Sequence, residues 1–195
     1  MTSPNGEDWT LRVSAADNMW ADVAYGNGVW IAVGITGGDR VMTSPNGEDW
    51  TSVDPSSSES IAATAMWNSV AYGNGVWVAV SSSTNEVMRS SDNGLTWTRV
   101  TGAEAISWQS VAYGNGVWVA VANSGGNDRV MTSTDGITWT LRTAAADNDW
   151  QSVAYGNGVW VAISSDGTDQ VMRSTDGLSW SAVLATEGKI GRAHV

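Results

Sequence analysis

One phrase recurs four times in this chain of 195 residues. It reads ADVAYGNGVWIAVG from Ala21, NSVAYGNGVWVAVS from Asn68, QSVAYGNGVWVAVA from Gln109 and QSVAYGNGVWVAIS from Gln151. A tryptophan precedes each copy, a second lies inside it, and a third follows a short turn, so that with Trp9 all 13 tryptophans hold repeat positions. The leading tryptophans stand at 20, 67, 108 and 150, which gives spacings of 47, 41 and 42 residues. A fixed period of this length indicates a repeat architecture.

Each repeat unit is typical of four short antiparallel strands. In the third copy, WQSVAYG and GVWVAV are apolar runs joined by Asn-Gly, a strong hairpin signal because both turn residues must take positive φ. GVWVAV is apolar on both alternating faces, which predicts a strand covered on both sides. A VM(T/R)S run, a turn and a short polar run complete the unit. Four-stranded units of this period stack as the blades of a β-propeller.

The turn between the third and fourth predicted strands carries a family resemblance. SSDNGLTW, residues 90–97, fits the Asp-box pattern Ser-x-Asp-x-Gly-x-Thr-Trp, and the chain resembles the Asp-box (BNR repeat) sialidase-like propellers, a group that includes sialidases, sortilin-like receptors and photosystem assembly factors. The copies at 133–139 and 174–180 lack one residue, and the copy at 44–50 also has Asn46 in place of the aspartate. The resemblance implies a structural turn rather than an active site. The structural box residues so expected are Ser90, Asp92, Gly94, Thr96, Trp97, Asp135, Trp139, Asp176 and Trp180.

The repeats predict one all-β domain over residues 1–188. Residues 1–10 read MTSPNGEDWT, as residues 42–51 do, so the chain opens inside a unit. We expect a half blade at 1–13 and complete four-stranded blades at about 20–53, 67–100, 108–142 and 150–183. No fifth copy of the phrase supplies the inner strands of the half blade. The β-propeller ring is therefore expected to be incomplete.

The last seven residues, KIGRAHV, do not fit the repeat. They contain the only lysine, Lys189, and the only histidine, His194. A closing tryptophan usually precedes the next leading one by eleven residues, which points to position 191, where Gly191 stands. One back-translation, AAG ATC GGA AGA GCA CAC GTC, contains the start of a common short-read sequencing adapter. We expect residues 189–195 to be a non-native tail without regular structure, and the sequence to be translated from a metagenomic fragment.

Composition and charge exclude several functions. The chain has no cysteine, so it can form no disulfide and has no thiolate nucleophile or cysteine metal site. The net charge of −11 repels phosphate, so we expect no nucleic-acid partner. No apolar run approaches the length that crosses a bilayer. We favour an extracellular, cell-surface or virion location over a cytoplasmic one, and we expect no cofactor.

Two faces of the predicted ring differ in how much their turns vary. YGNG and the box turns are nearly identical in every copy, whereas the loops after the second and fourth strands differ freely. Binding loops usually lie where copies of a repeat diverge. The variable loops form either a solvated surface or a site for Ca²⁺ or a cationic ligand, although none follows the EF-hand pattern. The candidate binding residues on this face are Asp39, Arg40, Asp128, Arg129, Asp166 and Asp169.

The sequence favours binding over catalysis. The four tyrosines are identical repeat positions, which is typical of packing, and no serine has a histidine base outside the tail. No spacing singles out a pair of carboxylates. We expect a non-catalytic scaffold that recognises glycan or protein at a bacterial or viral surface. The alternative is the propeller of a sialidase-like glycoside hydrolase whose catalytic residues lie elsewhere. Unpaired strand edges would favour self-association.

Overall fold

A computed structural model describes residues 1–57, 61–101 and 103–183. This part of the chain is all-β, with sixteen strands and one short 3-10 helix, Pro55–Ser57. No helix in it is long and apolar enough to cross a membrane. The expected tail at 189–195 lies outside the described residues, so its lack of structure stays a prediction.

The strands form four antiparallel sheets of four strands, each in simple sequential order. These sheets are the predicted blades. Blade 1 contains β1 (Trp20–Gly26), β2 (Val29–Gly34), β3 (Val41–Ser44) and β4 (Thr51–Val53). Blade 2 contains β5 (Trp67–Gly73), β6 (Val76–Ser81), β7 (Val87–Ser90) and β8 (Thr98–Arg99). Blade 3 contains β9 (Trp108–Gly114), β10 (Val117–Ala122), β11 (Val130–Ser133) and β12 (Thr140–Arg142). Blade 4 contains β13 (Trp150–Gly156), β14 (Val159–Ser164), β15 (Val171–Ser174) and β16 (Ser181–Ala182).

The Asn-Gly pairs form the tight turns that the sequence predicts. In blade 2, Asn74 and Gly75 take φ angles of 48° and 80°, and the other three copies agree closely. Each first strand also contains a bulge that the sequence pattern does not show. In blade 2, Trp67 pairs with Ser81 and Ser69 pairs with Val80, so Asn68 is skipped by the ladder. Such an extra residue changes the direction in which the strand presents its side chains.

The hydrophobic core lies between blades rather than within them. Three clusters of buried residues fill the three contacts between successive blades. Ile31 and Val33 of blade 1 pack with Trp67 and Trp77 of blade 2, for example. The double-sided apolar strands are buried where blades lie on both sides, and β6 is buried along its whole length. One blade therefore depends on its neighbours for most of its apolar burial.

The four blades form an open arc. Contact between first strands joins β1 to β5, β5 to β9 and β9 to β13, and no comparable contact joins β13 to β1 within the described residues. The predicted half blade precedes blade 1. Its pairing is a single antiparallel bridge, in which Thr2 and Thr10 exchange backbone hydrogen bonds of 2.9 and 2.8 Å. Trp9, the residue before Thr10, is 59% exposed. The arc thus consists of four complete blades and an N-terminal half blade.

Candidate functional site

In blades 1 and 3 the residue before the third strand joins the loops of neighbouring blades. Arg129 stands there in blade 3, and its guanidinium donates to the carbonyl of Gly126 at 2.8 Å and pairs with Asp147 at 2.8 Å and Asp149 at 2.7 Å. Arg129 is largely buried by these contacts. It therefore ties the loop after the second strand of blade 3 to the loop that leads into blade 4.

Arg40 occupies the same position in blade 1 and makes an equivalent link. Its guanidinium donates to the carbonyl of Gly37 at 2.9 Å and to that of Ala65, just before blade 2, at 2.5 Å. In blade 2 the position holds Glu86, which is buried, pairs with Arg99 at 3.1 Å and accepts from the Ala62 amide at 3.2 Å. The two arginines singled out in the sequence thus join loops between blades.

The four candidate aspartates are spread over the loops after the second strands. Asp166 accepts the Asp149 amide proton at 2.5 Å, and Asp128 accepts from the Thr143 hydroxyl at 3.3 Å. Asp39 and Asp169 take part through their backbone carbonyls, which accept from Asn18 and Asn148. The structure does not bring these carboxylates together. Among the described residues, no group of three or more acidic or histidine side chains could hold a metal ion.

A polar groove lies where the first strands of the blades meet. It has a volume of about 290 Å³. We call it the axial groove, and its lining consists of Asp22, Asn68, Ser69, Gln109, Ser110, Val111, Gln151, Ser152 and Val153. Asn68, Gln109 and Gln151 are the bulge residues of their strands. Sequence reasoning missed this groove, although its signal was a polar pair after the leading tryptophans of blades 2, 3 and 4 in an otherwise apolar phrase.

Hydrogen bonds run around the axial groove from blade to blade. The Asp22 carboxylate accepts from the Ser69 hydroxyl at 2.8 Å and from the Val70 amide at 2.9 Å. Ser69 then accepts the Val111 amide proton at 3.2 Å, and Ser110 accepts that of Val153 at 3.2 Å. These bonds fix the spacing of successive first strands, so the groove is a preformed feature of the arc.

The amide side chains connect the axial groove to the variable loops. Asn68 donates to the Gln109 side chain at 3.1 Å and accepts from Ser82 at 2.8 Å, while Gln151 donates to Ser165 at 3.2 Å. Ser82 and Ser165 begin the loops after the second strands of blades 2 and 4. The groove therefore opens on the face of the variable loops.

The box turns occupy the opposite face and are closed by their own side chains. Asp92 accepts from the Ser90 hydroxyl at 2.7 Å, the Thr96 amide at 2.9 Å and the Thr96 hydroxyl at 2.6 Å. The indole of Trp97 donates to the carbonyl of Gly94 at 3.0 Å. In the shorter turns Asp135 and Asp176 accept from amides of their own turn in the same way, and Asn46 in blade 1 accepts from the amides of Glu48 and Asp49 at 2.9 Å.

These hydrogen bonds change the acidity of the box aspartates. Amide protons of Thr138 and Ile137 lower the pKa of Asp135 from 3.8 to about 2. Amide protons of Ser179 and Leu178 likewise lower the pKa of Asp176. Burial raises the pKa of Asp92, but hydrogen bonds from Thr96 and Ser90 outweigh it and the net pKa is lowered. These hydrogen bonds favour the ionised carboxylates, which accept protons of their own turns. An ionised carboxylate has no proton to give as a general acid.

Three of the four tyrosines take part in the contacts between blades. Each lies beside the second tryptophan of its own blade, as in the pair of Tyr72 and Trp77 with ring centroids 5.0 Å apart. The Tyr72 ring also covers Gly26 of blade 1, so that a Cβ atom on that glycine would lie 2.2 Å from the ring. Tyr113 covers Gly73 and Tyr155 covers Gly114 in the same way.

No protein-family model matches the sequence, and no curated protein matches it. Solved structures of β-propeller proteins do match. YCF48 bound to D1 peptide has a TM-score of 0.61 at 16% identity over 87% of this chain and 55% of its own. A catalytically inactive virginiamycin B lyase from Staphylococcus aureus has a TM-score of 0.72 at 13% identity over 88% of this chain and 57% of its own.

A third solved structure, an ancestral GH74 enzyme, has a TM-score of 0.65 at 18% identity, and the match covers 89% of this chain and 25% of that one. This chain thus spans between a quarter and three fifths of the structures named here. Because all three identities are below 25%, the likeness concerns the fold alone. These comparisons, together with the four sheets described above, show that the chain has the fold of a β-propeller.

Proposed function

We propose that this chain is a non-catalytic binding scaffold that recognises a polar segment of a protein, or a glycan, at a bacterial or viral surface. The observation that carries the proposal is the axial groove, which opens on the variable loops. Its amides and hydroxyls can both donate and accept hydrogen bonds, which suits a peptide backbone or sugar hydroxyls. A β-propeller of similar fold, YCF48, is known with a bound peptide, which supports a protein ligand.

The same groove is poorly equipped for catalysis. It contains one carboxylate, Asp22, which is already hydrogen bonded to Ser69 and Val70. Among the described residues its serines have no histidine beside them, and the single histidine of the sequence, His194, lies outside those residues. Histidine is the commonest general base for activating a serine hydroxyl. The box turns on the other face are assigned a structural role.

The test is a screen of the purified protein against peptide and glycan arrays, followed by variants of both faces. Replacing Asn68, Gln109 and Gln151 together by Ala removes the amides of the axial groove. We expect this variant to lose at least tenfold in affinity for any ligand found, since several hydrogen bonds are lost at about 1 kcal/mol each. Thr134→Ala, on an exposed position of a box turn, is the control and should bind normally. Equal affinity of both variants would contradict the proposal.

A second candidate function is the propeller part of a sialidase-like glycoside hydrolase whose catalytic residues lie outside these 195 residues. The fit of residues 90–97 to the Asp-box pattern favours it. One long sequencing read across the locus distinguishes the two candidates. A cluster of arginines with an acid–base pair in further blades would favour the hydrolase, and so would hydrolysis of a sialoside by the encoded protein.

A further inference from the structure

One position of the axial groove carries a charge in blade 1 and none in the other blades. The residue two places after each leading tryptophan lines the groove, and these residues are Asp22, Ser69, Ser110 and Ser152. The bulge position before it also differs, because it holds Ala21 in blade 1 and a side-chain amide in each later blade. The blade 1 end of the groove is therefore acidic, and the blade 4 end is uncharged.

The contact between blades does not need this charge. The Val70 amide donates to the Asp22 carboxylate at 2.9 Å. At the next two contacts the matching valine amide donates to a serine hydroxyl instead, that of Ser69 or Ser110, at 3.2 Å. A hydroxyl therefore accepts this hydrogen bond at the same place in the repeat. Joining the blades does not explain why the position is acidic in blade 1.

The carboxylate of Asp22 has no positive partner in the described part of the chain. It accepts three hydrogen bonds, two from backbone amides and one from a hydroxyl, and all three donors are uncharged. It takes part in none of the ion pairs found among the described residues. Arg12 lines a second cavity with Asp22, but its guanidinium pairs with Glu48. Uncharged donors fix the carboxylate in place without cancelling its charge, so it still attracts a cation.

The blade 4 end of the axial groove offers uncharged groups instead. The Gln151 side chain donates to the Ser165 hydroxyl at 3.2 Å, and within the described residues its amide oxygen accepts no hydrogen bond. The Ser152 hydroxyl likewise has no hydrogen bond to any described residue, although it lines the groove. Such groups can bind the amide and carbonyl groups of a peptide backbone. The two ends of the groove thus differ in the chemistry that they can recognise.

We propose that the axial groove selects a protein segment with a basic side chain, lysine or arginine, whose cationic group binds to Asp22. The neighbouring peptide groups of the segment bind to the amides and hydroxyls of blades 2 to 4. This inference rests on the function proposed above and narrows its ligand to one class. The net charge of −11 also draws a basic segment toward the protein. A protein is favoured over a glycan because sugar hydroxyls offer no cation to a carboxylate.

The probe is a library of short synthetic peptides with both ends blocked, so that neither end carries a charge. One position is Lys, Arg, Gln or Glu, and the other positions vary among uncharged residues. Selection on the full-length protein should enrich Lys or Arg at that position. Fluorescence anisotropy then compares the best binder with a neutral copy, in which acetyl-lysine or citrulline replaces the basic residue. We expect the neutral copy to bind about tenfold more weakly.

Three protein variants complete the test. Asp22→Ser introduces the residue of the later blades, and Asp22→Asn keeps a side-chain oxygen for the Val70 amide. Both should bind the basic peptide and its neutral copy with equal affinity, because the partner of the cation is gone. Asp17→Ser is the control, since it removes one charge from an exposed loop residue that does not line the groove. It should keep the preference for the basic peptide, and circular dichroism shows that each variant is folded.

The possible failures of this inference and of the proposed function can be told apart. Peptide binders without a preference for Lys or Arg would overturn the inference and leave the proposed function standing. A preference that persists in both Asp22 variants would also overturn it, and so would an equal loss in Asp17→Ser, which would make the net charge of the protein the cause. If glycans bind and no peptide does, the ligand class is wrong. If neither peptides nor glycans bind, the proposed function fails together with the inference.

Discussion

Blades 2 and 3 differ from blades 1 and 4 although all four contain nearly the same phrase. Val78 and Val119, in the middle of β6 and β10, are fully buried, while Val161 at the same position of β14 is 39% exposed. Trp77 and Trp118 are fully buried, while Trp30 of blade 1 is only partly so. The cause is the neighbour, because a blade in this arc buries its faces only against other blades. The energetic role of a repeat position therefore depends on where its copy lies in the arc.

The largest difference should appear when a charge is placed on a second strand. Val119→Asp puts an unpaired carboxylate into a closed contact between blades 3 and 4 and should destabilise the protein by about 4 kcal/mol or more. Val161→Asp makes the same change on the outward face of blade 4, where water reaches the side chain, and should cost less than about 1 kcal/mol. Urea unfolding followed by circular dichroism measures both. Similar losses for the two variants would show that the outward face of blade 4 is covered in solution.

The box turns of blades 2 and 4 allow the same comparison between an inner and an outer blade, with a smaller expected loss of stability. Asp92 and Asp176 each accept three hydrogen bonds, but Trp97 of the first turn is fully buried and Trp180 of the second is partly exposed. Asp92→Ala should cost about 1–2 kcal/mol, because the turn loses its acceptors beside a buried ring. Asp176→Ala should cost about half as much, since water can replace the carboxylate. The reverse order, measured by thermal unfolding, would contradict this view of the turns.

The acidic box turns should also make stability depend on pH. The pKa of Asp135 is about 2 in the folded chain against 3.8 ordinarily, so its contribution is present above about pH 4 and is lost as the pH falls toward 2. Blade 1 makes the same turn with Asn46, which has no charge to lose. Asp135→Asn should therefore reduce the loss of stability between pH 4 and 2 while leaving the fold intact. An unchanged acid profile in this variant would refute the role of the carboxylate.

The smallest effect on stability is expected in the variable loops. Replacing Asp166 and Asp169 by Ala removes one hydrogen bond, from the Asp149 amide to Asp166, and should cost about 1 kcal/mol or less. If these loops bind cations or basic peptides, the double variant should bind them more weakly, whereas Asp92→Ala should bind them normally once folded. Calorimetric titration of both variants with a basic peptide checks the assignment of the two faces. Loss of binding in folded Asp92→Ala alone would reverse the assignment.

The sequence was sufficient to predict the blades because each strand boundary has a local cause. Asn-Gly requires a tight hairpin, and the double-sided apolar strands require cover on both faces. The open arc was also predicted, because the sequence has no fifth copy of the repeated phrase to complete the half blade. These features depend on short-range chemistry and on repetition, both of which can be seen in a single chain.

The axial groove could not be predicted in the same way. Period-two alternation assumes a regular strand, and the bulge at Asn68, Gln109 and Gln151 interrupts that period. The distant partners of Arg40 and Arg129, such as Ala65 and Asp147, are also absent from local sequence, because they belong to the loops that lead into the next blade. The candidate aspartates were placed on the variable loops from sequence, yet which of them share hydrogen bonds depends on loop conformation.

The central claim is that the protein is stabilised by a repeated contact in which the tyrosine of one blade covers the glycine of the blade before it. The most direct test compares the free energies of unfolding of Gly73→Ala and Gly156→Ala. Both glycines end a first strand and neither has a positive φ, so the change itself adds no backbone strain. A Cβ atom at position 73 would lie 2.0 Å from the Tyr113 ring, and one at position 156 would have no described atom within 4 Å. We predict a loss of about 2–3 kcal/mol for Gly73→Ala and a change within about 0.5 kcal/mol for Gly156→Ala. Equal losses for the two variants would contradict the claim.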